Sequence, residues 1–591
     1  MCGIFGYYGN QDAARIVANG LKRLEYRGYD SWGIAVLEKE IKITKQVGSI
    51  GDAILDPKIL TSRSSISIGH TRWATHGGVT KNNAHPHYSS DQSFALAQNG
   101  IVENYTELKQ DLIKKGYKFW SETDTEVIVR LIEDKFKKIK DIKEATRAAF
   151  LELEGRNTVI LITKDGQIVG ARNGSPLVIG KNFHTGEIYL SSDALSFAPF
   201  AKNMCILDNG QMIVIKNKNI QLLDIKSGKE IAVRFEDIGF KAEKIDKEGF
   251  DHFMLKEISE APFVLNQLIG QDVKAYEELA QAVKKAKNVY TIGSGGAGVA
   301  ASQVGFYLRA IGKIRAISLI GSDAIEYEDL FGPDDLIIVI SQSGETADVL
   351  EVLESAKKKG VKIASYVNMP GSMISRMSDY KFMSQSGPEI CVMSTKTFDA
   401  QIAFGYLLAK TIAGENNARE NLKQLAVAIE EYLFDKRNHE LLKTIAKKLI
   451  NKKDIFLFGK YQNFHIIREG MVKIIEAAYK HGHALPAGDL KHYVITLIEK
   501  GVPVIVAVSE DQVKSDLLNA IHEVKARGAE IFAIASKHHP DFDVFIKVPD
   551  CEEVSAIMNL IPLQLLAYYM AVELGNNVDK PRNIAKSVTV K

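Results

Sequence analysis

Asn288-Val289-Tyr290-Thr291-Ile292-Gly293 is an apolar run of strand length that ends on glycine, and Asp454-Ile455-Phe456-Leu457-Phe458-Gly459 repeats it. The echo continues. Asp335-Leu336-Ile337-Ile338-Val339-Ile340-Ser341 has its counterpart in Val502-Pro503-Val504-Ile505-Val506-Ala507-Val508-Ser509. Gly360-Val361-Lys362-Ile363-Ala364 has its own in Gly528-Ala529-Glu530-Ile531-Phe532, an internal period of roughly 166 to 168 residues. Each apolar run is followed by a segment of helical periodicity. Continuous apolar strands alternating with helices predict a parallel sheet covered on both faces. Two doubly wound α/β domains in tandem are therefore expected, at residues 250–435 and 436–575.

Ligands of open α/β sheets bind beyond the carboxyl ends of the strands. In the first copy those ends read Gly293-Ser294-Gly295-Gly296 and Ser341-Gln342-Ser343-Gly344-Glu345-Thr346. Small hydroxyls, bare backbone amides and a helix N-terminus make a phosphate cradle that needs no cation. The second copy has Gly459-Lys460-Tyr461 and Ser509-Glu510-Asp511 instead, where bulk and two carboxylates would repel an anion. One phosphate site per chain is expected. A rival reading takes Gly293 to Gly298 as a dinucleotide fingerprint, with Asp323 as the ribose-binding acid. The Ser/Thr-rich second loop favours a compact phosphomonoester.

Ahead of the repeat, residues 224–249 are polar, rich in Lys and Glu and without clear period, which predicts a linker. The first 223 residues carry short apolar runs at Gly33–Leu37, Ile66–Gly69, Thr158–Ile162 and Gln211–Ile215, with helical period at Ala13–Leu24 and Glu126–Phe136. This is an α+β pattern with much β-structure.

A chain of 591 residues exceeds what one core supports. With 75 basic and 73 acidic residues the net charge is +2, which argues against a nucleic-acid partner. The basic cluster Lys135 to Lys143 alternates with Phe136, Ile139 and Ile142 and predicts the wet face of a helix. Four scattered cysteines show no metal spacing and fit a reducing compartment. No signal peptide is expected, and Ile557 to Leu574, the most membrane-like stretch, contains Asn559, Pro562, Gln564 and Glu573, so it predicts a buried core helix. A cytoplasmic protein follows.

Chemistry concentrates at both ends of the chain. Cys2 follows Met1 directly, and removal of Met1 would leave a thiol and a free α-amine on one residue. Such an amine titrates near ~7.7–8.0 and can serve as the base for its own thiol. His70-Thr71-Arg72-Trp73-Ala74-Thr75-His76-Gly77 offers a cation for a carboxylate beside a glycine turn. Asn99-Gly100 offers a side-chain amide and an unobstructed N–H, the parts of an oxyanion hole. Asp124, in Ser121-Glu122-Thr123-Asp124-Thr125-Glu126, could bind an α-ammonium group. Singly, Arg72 also reads as a surface ion pair, Asn99-Gly100 as a turn and Asp124 as a helix N-cap. Together with Cys2 they point to a cysteine amidohydrolase.

These motifs, with Arg23-Leu-Glu-Tyr-Arg27-Gly-Tyr-Asp30, Asn83-Ala-His85-Pro-His87, Ser394-Thr395-Lys396 and the tail Asp579 to Val590, run nearly end to end. In them the chain resembles the glutamine–fructose-6-phosphate aminotransferase (isomerizing) family. The resemblance implies an N-terminal-nucleophile glutaminase of αββα build at 1–223 and a pair of sugar isomerase (SIS) domains behind the linker. A tail, 576–591, would carry Lys586. It implies Cys2 as nucleophile toward the glutamine amide, with Asn99 and Gly100 stabilising the oxyanion. Arg72, Trp73, Thr75, His76, Gly77 and Asp124 would hold glutamine. Ser294, Gly295, Ser341, Gln342, Ser343 and Thr346, with Val392 and Ser394, would hold the sugar phosphate. Lys586 would form a Schiff base with the ketose, Glu476 would move the proton between C2 and C1, His492 would open the ring, and Lys473 would complete that set. His492 would come from a neighbouring subunit, so at least a homodimer is implied. Released ammonia requires a closed path to the sugar, and Trp73, beside Arg72, is the candidate gate.

Departures from the family's pattern lie in the sugar half. Ile292-Gly293-Ser294-Gly295 stands where Cys-Gly-Thr-Ser is usual, and Tyr493-Val494 replaces Gly-Pro after His492. Ile475 stands in place of a lysine before Glu476, and His483 in place of an acid. The pairs His85/His87 and His481/His483 lack a third ligand at metal spacing, so neither a metal nor a cofactor is expected. Two other functions compete: a sugar-phosphate-binding regulator without turnover, and an amidotransferase with a different phosphosugar acceptor. Retention of Cys2, Glu476, His492 and Lys586 argues against the regulator.

Overall fold

The computed structural model describes residues 2–51, 64–238 and 246–589. The chain divides into two compact units, Met1–Lys244 with Ala585–Lys591, and Ile245–Ile584.

In the first unit two antiparallel sheets face each other. The eight-stranded sheet runs Glu236–Asp237, Asn203–Ile206, Val178–Asn182, Glu187–Ser191, Gly3–Tyr8, Ile66–Arg72, Ser31–Leu37 and Ile41–Val47. The seven-stranded sheet runs Glu230–Ile231, Asn219–Asp224, Gln211–Lys216, Ile168–Asn173, Asn157–Thr163, Phe94–Gly100 and His87–Tyr88. Strand alternation sorts the side chains. On Gly3–Tyr8, Ile4 joins Ile68, Ala97, Ile160 and Leu190 between the sheets. Its neighbours Phe5 and Tyr7 turn outward onto Val17, Ala18 and Leu21 of the helix Ala13–Arg23. The other sheet is covered by Thr125–Ile139 and Ile142–Phe150, whose Val127, Ile128 and Leu131 pack on Leu96 and Leu161. The result is the expected αββα sandwich. The stretch 224–249 differs from its reading as a linker: as far as Ile238 it pairs into both sheets of this unit, through Glu230–Ile231 and Glu236–Asp237. Two-residue edge strands are too short to leave a period in the sequence.

The second unit holds two five-stranded parallel sheets of the same strand order. The first runs Ala316–Ile320, Val289–Gly293, Leu336–Ser341, Lys362–Val367 and Tyr380–Met383. The second runs His481–Pro486, Asp454–Gly459, Pro503–Val508, Glu530–Ala535 and Val544–Lys547. The repeat read from the sequence is thus a repeat of topology. One core joins the copies, with Lys396–Ala413, Phe464–Ala478 and Ser555–Glu573 as its central helices. The helical stretch Glu552–Glu573, alone among the described residues in being long and apolar enough to cross a membrane, has its apolar window buried in this core.

Candidate active sites

Two adjacent inner strands of the eight-stranded sheet position the candidate nucleophile and its neighbours. Gly3 pairs with Thr71, so Cys2 lies beside the point where Ile66–Arg72 gives way to the loop at Trp73. The Trp73 N–H donates to Cys2 Sγ at 3.2 Å. Burial pushes the Cys2 thiol up, while the amino terminus, the Trp73 N–H and Arg72 pull it down. Across the sandwich, Asn99 is the penultimate residue of the strand Phe94–Gly100, and its Nδ2 donates to the Cys2 carbonyl at 3.1 Å. Gly100 has φ +126°, and a Cβ there would stand 1.9 Å from the Arg156 carbonyl oxygen, so only glycine fits. The structure therefore brings Cys2, Asn99 and Gly100 together.

The Arg72 to Gly78 loop is a closed frame. Arg72, 3% exposed, donates to the carbonyls of His76, Gly77 and Gly78. Gly77 has φ +75°, and a Cβ there would stand 2.8 Å from Asn83 Nδ2. Asn83 Nδ2 in turn bonds Gly78 O at 2.9 Å and Glu122 Oε2 at 3.0 Å. Thr75 is exposed, His76 packs edge-on against Tyr105, and Trp73 does the same against Tyr29. Asp124 stands at the N-cap of Thr125–Ile139 without capping it. Its carboxylate instead accepts from the Val102 N–H at 2.9 Å. Sequence reasoning missed Asp30, whose carboxylate accepts from the Ala74 N–H at 2.9 Å. Its position in the Arg27-Gly-Tyr-Asp30 motif was the available signal.

In the second unit the phosphate-type loops follow strands Val289–Gly293 and Leu336–Ser341. The Ser341 hydroxyl accepts from the Gly344 N–H at 2.9 Å and closes the second loop. Ser294 Oγ is buried without a hydrogen-bond partner among the described residues, and Gly295, at φ +59°, is open on its Cβ side. Thr346 stands at the N-cap of Ala347–Lys358 with its hydroxyl not used for capping. Gln342 and Ser343 lie half-buried between them. Val392 is buried with its N–H on Asp579 O at 3.0 Å, and Ser394 Oγ donates to Glu389 at 3.0 Å. In the second copy Glu510 is engaged with Lys514 and Lys537 at 2.6 and 3.0 Å. That carboxylate is already engaged from within its own copy.

The candidate acid–base groups lie on the helix Phe464–Ala478. Lys473 Nζ lies 2.8 Å from Glu476 Oε2 and 3.0 Å from Glu469 Oε1. Lys473 is 2% exposed, whereas Glu476 is 26% exposed and can meet a substrate. Burial would lower the Lys473 ammonium, but the two carboxylates outweigh it and hold it up. Glu469 was not foreseen. It is fully buried, and burial, with Glu476 near, pushes its carboxyl up to about 7 against the pull of Lys473. A Cβ placed on Gly296 would stand 3.3 Å from Glu469 Oε2, so this cluster adjoins the first-copy cradle. The signal was there: Glu469-x-x-x-Lys473-x-x-Glu476 puts all three on one helical face.

His492 is exposed at the end of the turn Ala487–His492 that follows the edge strand His481–Pro486. Lys586 is half-buried in the tail segment that belongs to the first unit, where Thr589 Oγ1 meets Ser175 Oγ at 3.2 Å. Asp323, the acid of the dinucleotide reading, is exposed on the turn Gly321–Leu330. Among the described residues no group of three His, Cys, Asp or Glu side chains is arranged to hold a metal.

Comparison with known proteins agrees with both halves. A glutamine amidotransferase domain model matches residues 55–203, and a SIS domain model matches 282–411 and 448–574. The glutamine–fructose-6-phosphate aminotransferase [isomerizing] of Pyrococcus horikoshii is 37% identical over the full length of both chains. That of Caldanaerobacter subterraneus is 36% identical over the same extent. Among solved structures, the C-terminal domain of glucosamine-fructose-6-phosphate aminotransferase from Francisella tularensis is 28% identical. It covers 57% of this chain and 100% of its own, with a TM-score of 0.52. Full-length identity of this order, with both domain types in place, shows that the chain belongs to the glutamine–fructose-6-phosphate aminotransferase (isomerizing) family.

Proposed function

We propose that this chain converts fructose 6-phosphate and glutamine to glucosamine 6-phosphate and glutamate by two linked half-reactions. The observation that carries the reading is the meeting of Cys2 with the Asn99 amide in one unit and of Lys473 with two carboxylates beside a phosphate-type loop in the other.

In the first half-reaction the Cys2 thiolate attacks the glutamine side-chain carbonyl, with the mature α-amine taking the thiol proton. An amide nitrogen carries two hydrogens. One from Asn99 Nδ2 goes to the Cys2 carbonyl, which leaves the other, with the Gly100 N–H, for the oxyanion. Arg72, Trp73, Thr75, His76 and Gly77 hold the glutamine carboxylate end and Asp124 its ammonium. Ammonia leaves, and water releases glutamate from the thioester.

In the second, the cradle of Ser294, Gly295, Ser341, Gln342, Ser343 and Thr346, bordered by Val392 and Ser394, takes the phosphate. His492, donated across a homodimer interface, opens the ring. Its exposure supports such a role. Lys586 forms an imine at C2 with loss of water, ammonia from the first half-reaction displaces the lysine nitrogen at that carbon, and the resulting sugar imine acidifies the neighbouring C1–H. Glu476 carries a proton between C1 and C2, and Lys473 holds the Glu476 carboxylate in place. Isomerase domains that meet at 435 and end at 575, and a cytoplasmic location, belong to the same reading.

The test combines an end-point assay for hexosamine phosphate with trapping by borohydride in the presence of fructose 6-phosphate. The expected adduct is a hexose phosphate on the peptide containing Lys586. Equal labelling of Lys586→Ala would place the imine elsewhere. Glutamine hydrolysis without hexosamine phosphate would leave an amidotransferase with another acceptor.

A further inference from the structure

Three imidazoles in the first unit have no part in the amide chemistry above. His70, His85 and His87 are 0, 5 and 6% exposed. Their rings form a ladder, with centroids 4.3 Å apart from His70 to His85 and 5.0 Å from His85 to His87. Each Nε2 meets one side chain: Asn99 Oδ1 at 3.2 Å, Thr125 Oγ1 at 3.0 Å and Thr123 Oγ1 at 3.1 Å, in that order.

Every one of these bonds has a fixed direction. The Ser121 hydroxyl spends its hydrogen on the Glu126 carboxylate at 2.8 Å. The Ser121–Thr123 bond at 2.9 Å is then donated by Thr123, so Thr123 accepts from His87. Thr125 donates to Gln98 Oε1, so it accepts from His85. Asn99 Oδ1 has only lone pairs, so it accepts from His70. All three rings therefore carry hydrogen on Nε2. Burial holds them neutral: it pushes His70 down to about 3, and His85 and His87 well below their ordinary value.

We propose that His70 is a positioning residue for glutamine hydrolysis, its Nε2–H pinning Asn99 Oδ1 so that the Asn99 nitrogen faces Cys2. The two ends of an amide are nearly equal in size, and packing alone does not choose between them. Reversed, Asn99 would set oxygen against the Cys2 carbonyl and present a lone pair to the developing oxyanion. The His70 hydrogen bond makes that orientation unfavourable on both sides. The inference rests on Asn99 as the oxyanion donor.

Steady-state glutamine hydrolysis by the full chain tests it in four variants: His70→Leu, His70→Gln, Asn99→Ala and the double variant His70→Leu/Asn99→Ala. Loss of a single oxyanion donor costs about 100- to 1000-fold in kcat, so a misdirected one should cost about 10- to 100-fold. His70→Leu should show that fall in kcat with KM for glutamine within about two-fold of the parent. His70→Gln, whose amide nitrogen can donate from nearly the same place, should restore most of it. The double variant should be no slower than Asn99→Ala, because His70 acts only through Asn99. An unimpaired Asn99→Ala would overturn the oxyanion reading itself. If Asn99→Ala is impaired while His70→Leu keeps its kcat, or if the two losses multiply, the positioning role is wrong and the oxyanion reading stands. Should His70→Leu fail to fold, His70→Asn takes its place: it is too short to reach Asn99 and should match the expected loss. Equal activity of His70→Asn and His70→Gln would also overturn the role.

Discussion

Acid should unfold the glutaminase unit first, and the histidine ladder sets the size of the effect. An imidazole titrates near ~6.5 in an unfolded chain. In the folded unit His70 takes its proton only at about 3. Between those values the unfolded state binds the proton and the folded state does not. Stability is therefore complete above the higher value and is lost as pH falls toward the lower one. From pH 7.5 to 4.5, His70 alone should cost about 2.7 kcal/mol. Burial holds His85 and His87 neutral as well, so both add to the loss in the same direction, against a whole-domain stability of roughly 5–15 kcal/mol. The assay is built into the chain, because Trp32, Trp73 and Trp120 are its only tryptophans and all lie in this unit. Urea unfolding followed by tryptophan fluorescence thus reports on this unit alone. His70→Gln keeps a donor for Asn99 but cannot titrate. Its midpoint should fall less than that of the parent between the two pH values, by about 1 M urea at a slope of roughly 2–3 kcal/mol/M. Carboxylates also contribute: burial raises Glu187, but hydrogen bonds from Tyr7, Thr185 and Gln11 outweigh it and hold it low. Such terms are common to both proteins and cancel in the difference. Parallel losses in parent and variant would refute a buried, neutral His70.

Cys2→Ala should abolish glutamine hydrolysis yet leave fructose 6-phosphate isomerisation, because Glu476 is a separate base; intact-mass measurement of an active enzyme still carrying Met1 would contradict the amine-assisted mechanism. Lys473→Met would leave the buried Glu469 without its cation, and thermal unfolding should show the isomerase unit weakened by about 3–5 kcal/mol. An unchanged melting temperature would mean that Glu469 is already protonated. Trp73→Ala should still hydrolyse glutamine but form less hexosamine phosphate per glutamate released. An unchanged ratio would show that Trp73 only packs against Tyr29, and a joint fall in both activities would point to lost stability.

Elements with a strong period were legible from residues alone. The helix read at Glu126–Phe136 spans Thr125–Ile139, and the run Leu336–Ser341 ends on the serine that closes the phosphate-type loop. Longer-range geometry was not. Nothing near Cys2 in the sequence says that its sulfur takes the Trp73 N–H, since that contact depends on the pairing of Gly3 with Thr71. Edge strands of two residues leave no pattern, so Glu230–Ile231 read as linker. Glu469 was overlooked for another reason. A carboxylate on an apolar helix reads as a wet position, and only the packing of the second copy against Gly296 shows it buried.

That packing fits the proposal that the duplicated fold carries one sugar site. The copies share a strand order, so each has a loop beyond its first strand. In the first copy that loop is small, at Gly293-Ser294-Gly295-Gly296, and a glycine at 296 leaves room for a neighbour 3.3 Å from where its Cβ would be. In the second, Lys460 pairs with Asp516 and Glu510 with Lys514 and Lys537, and the loop closes on itself. What the second copy contributes is the helix behind its loop, Phe464–Ala478, turned toward the cradle of the first. Phosphate binding and proton transfer ask for opposite surroundings. A cradle needs bare amides and no negative side chain, whereas a base needs a carboxylate held by a cation in a dry place. In the proposed reaction, dividing the two tasks between copies lets a dianion sit on the amides of one sheet while Glu476, held by Lys473, works from the other.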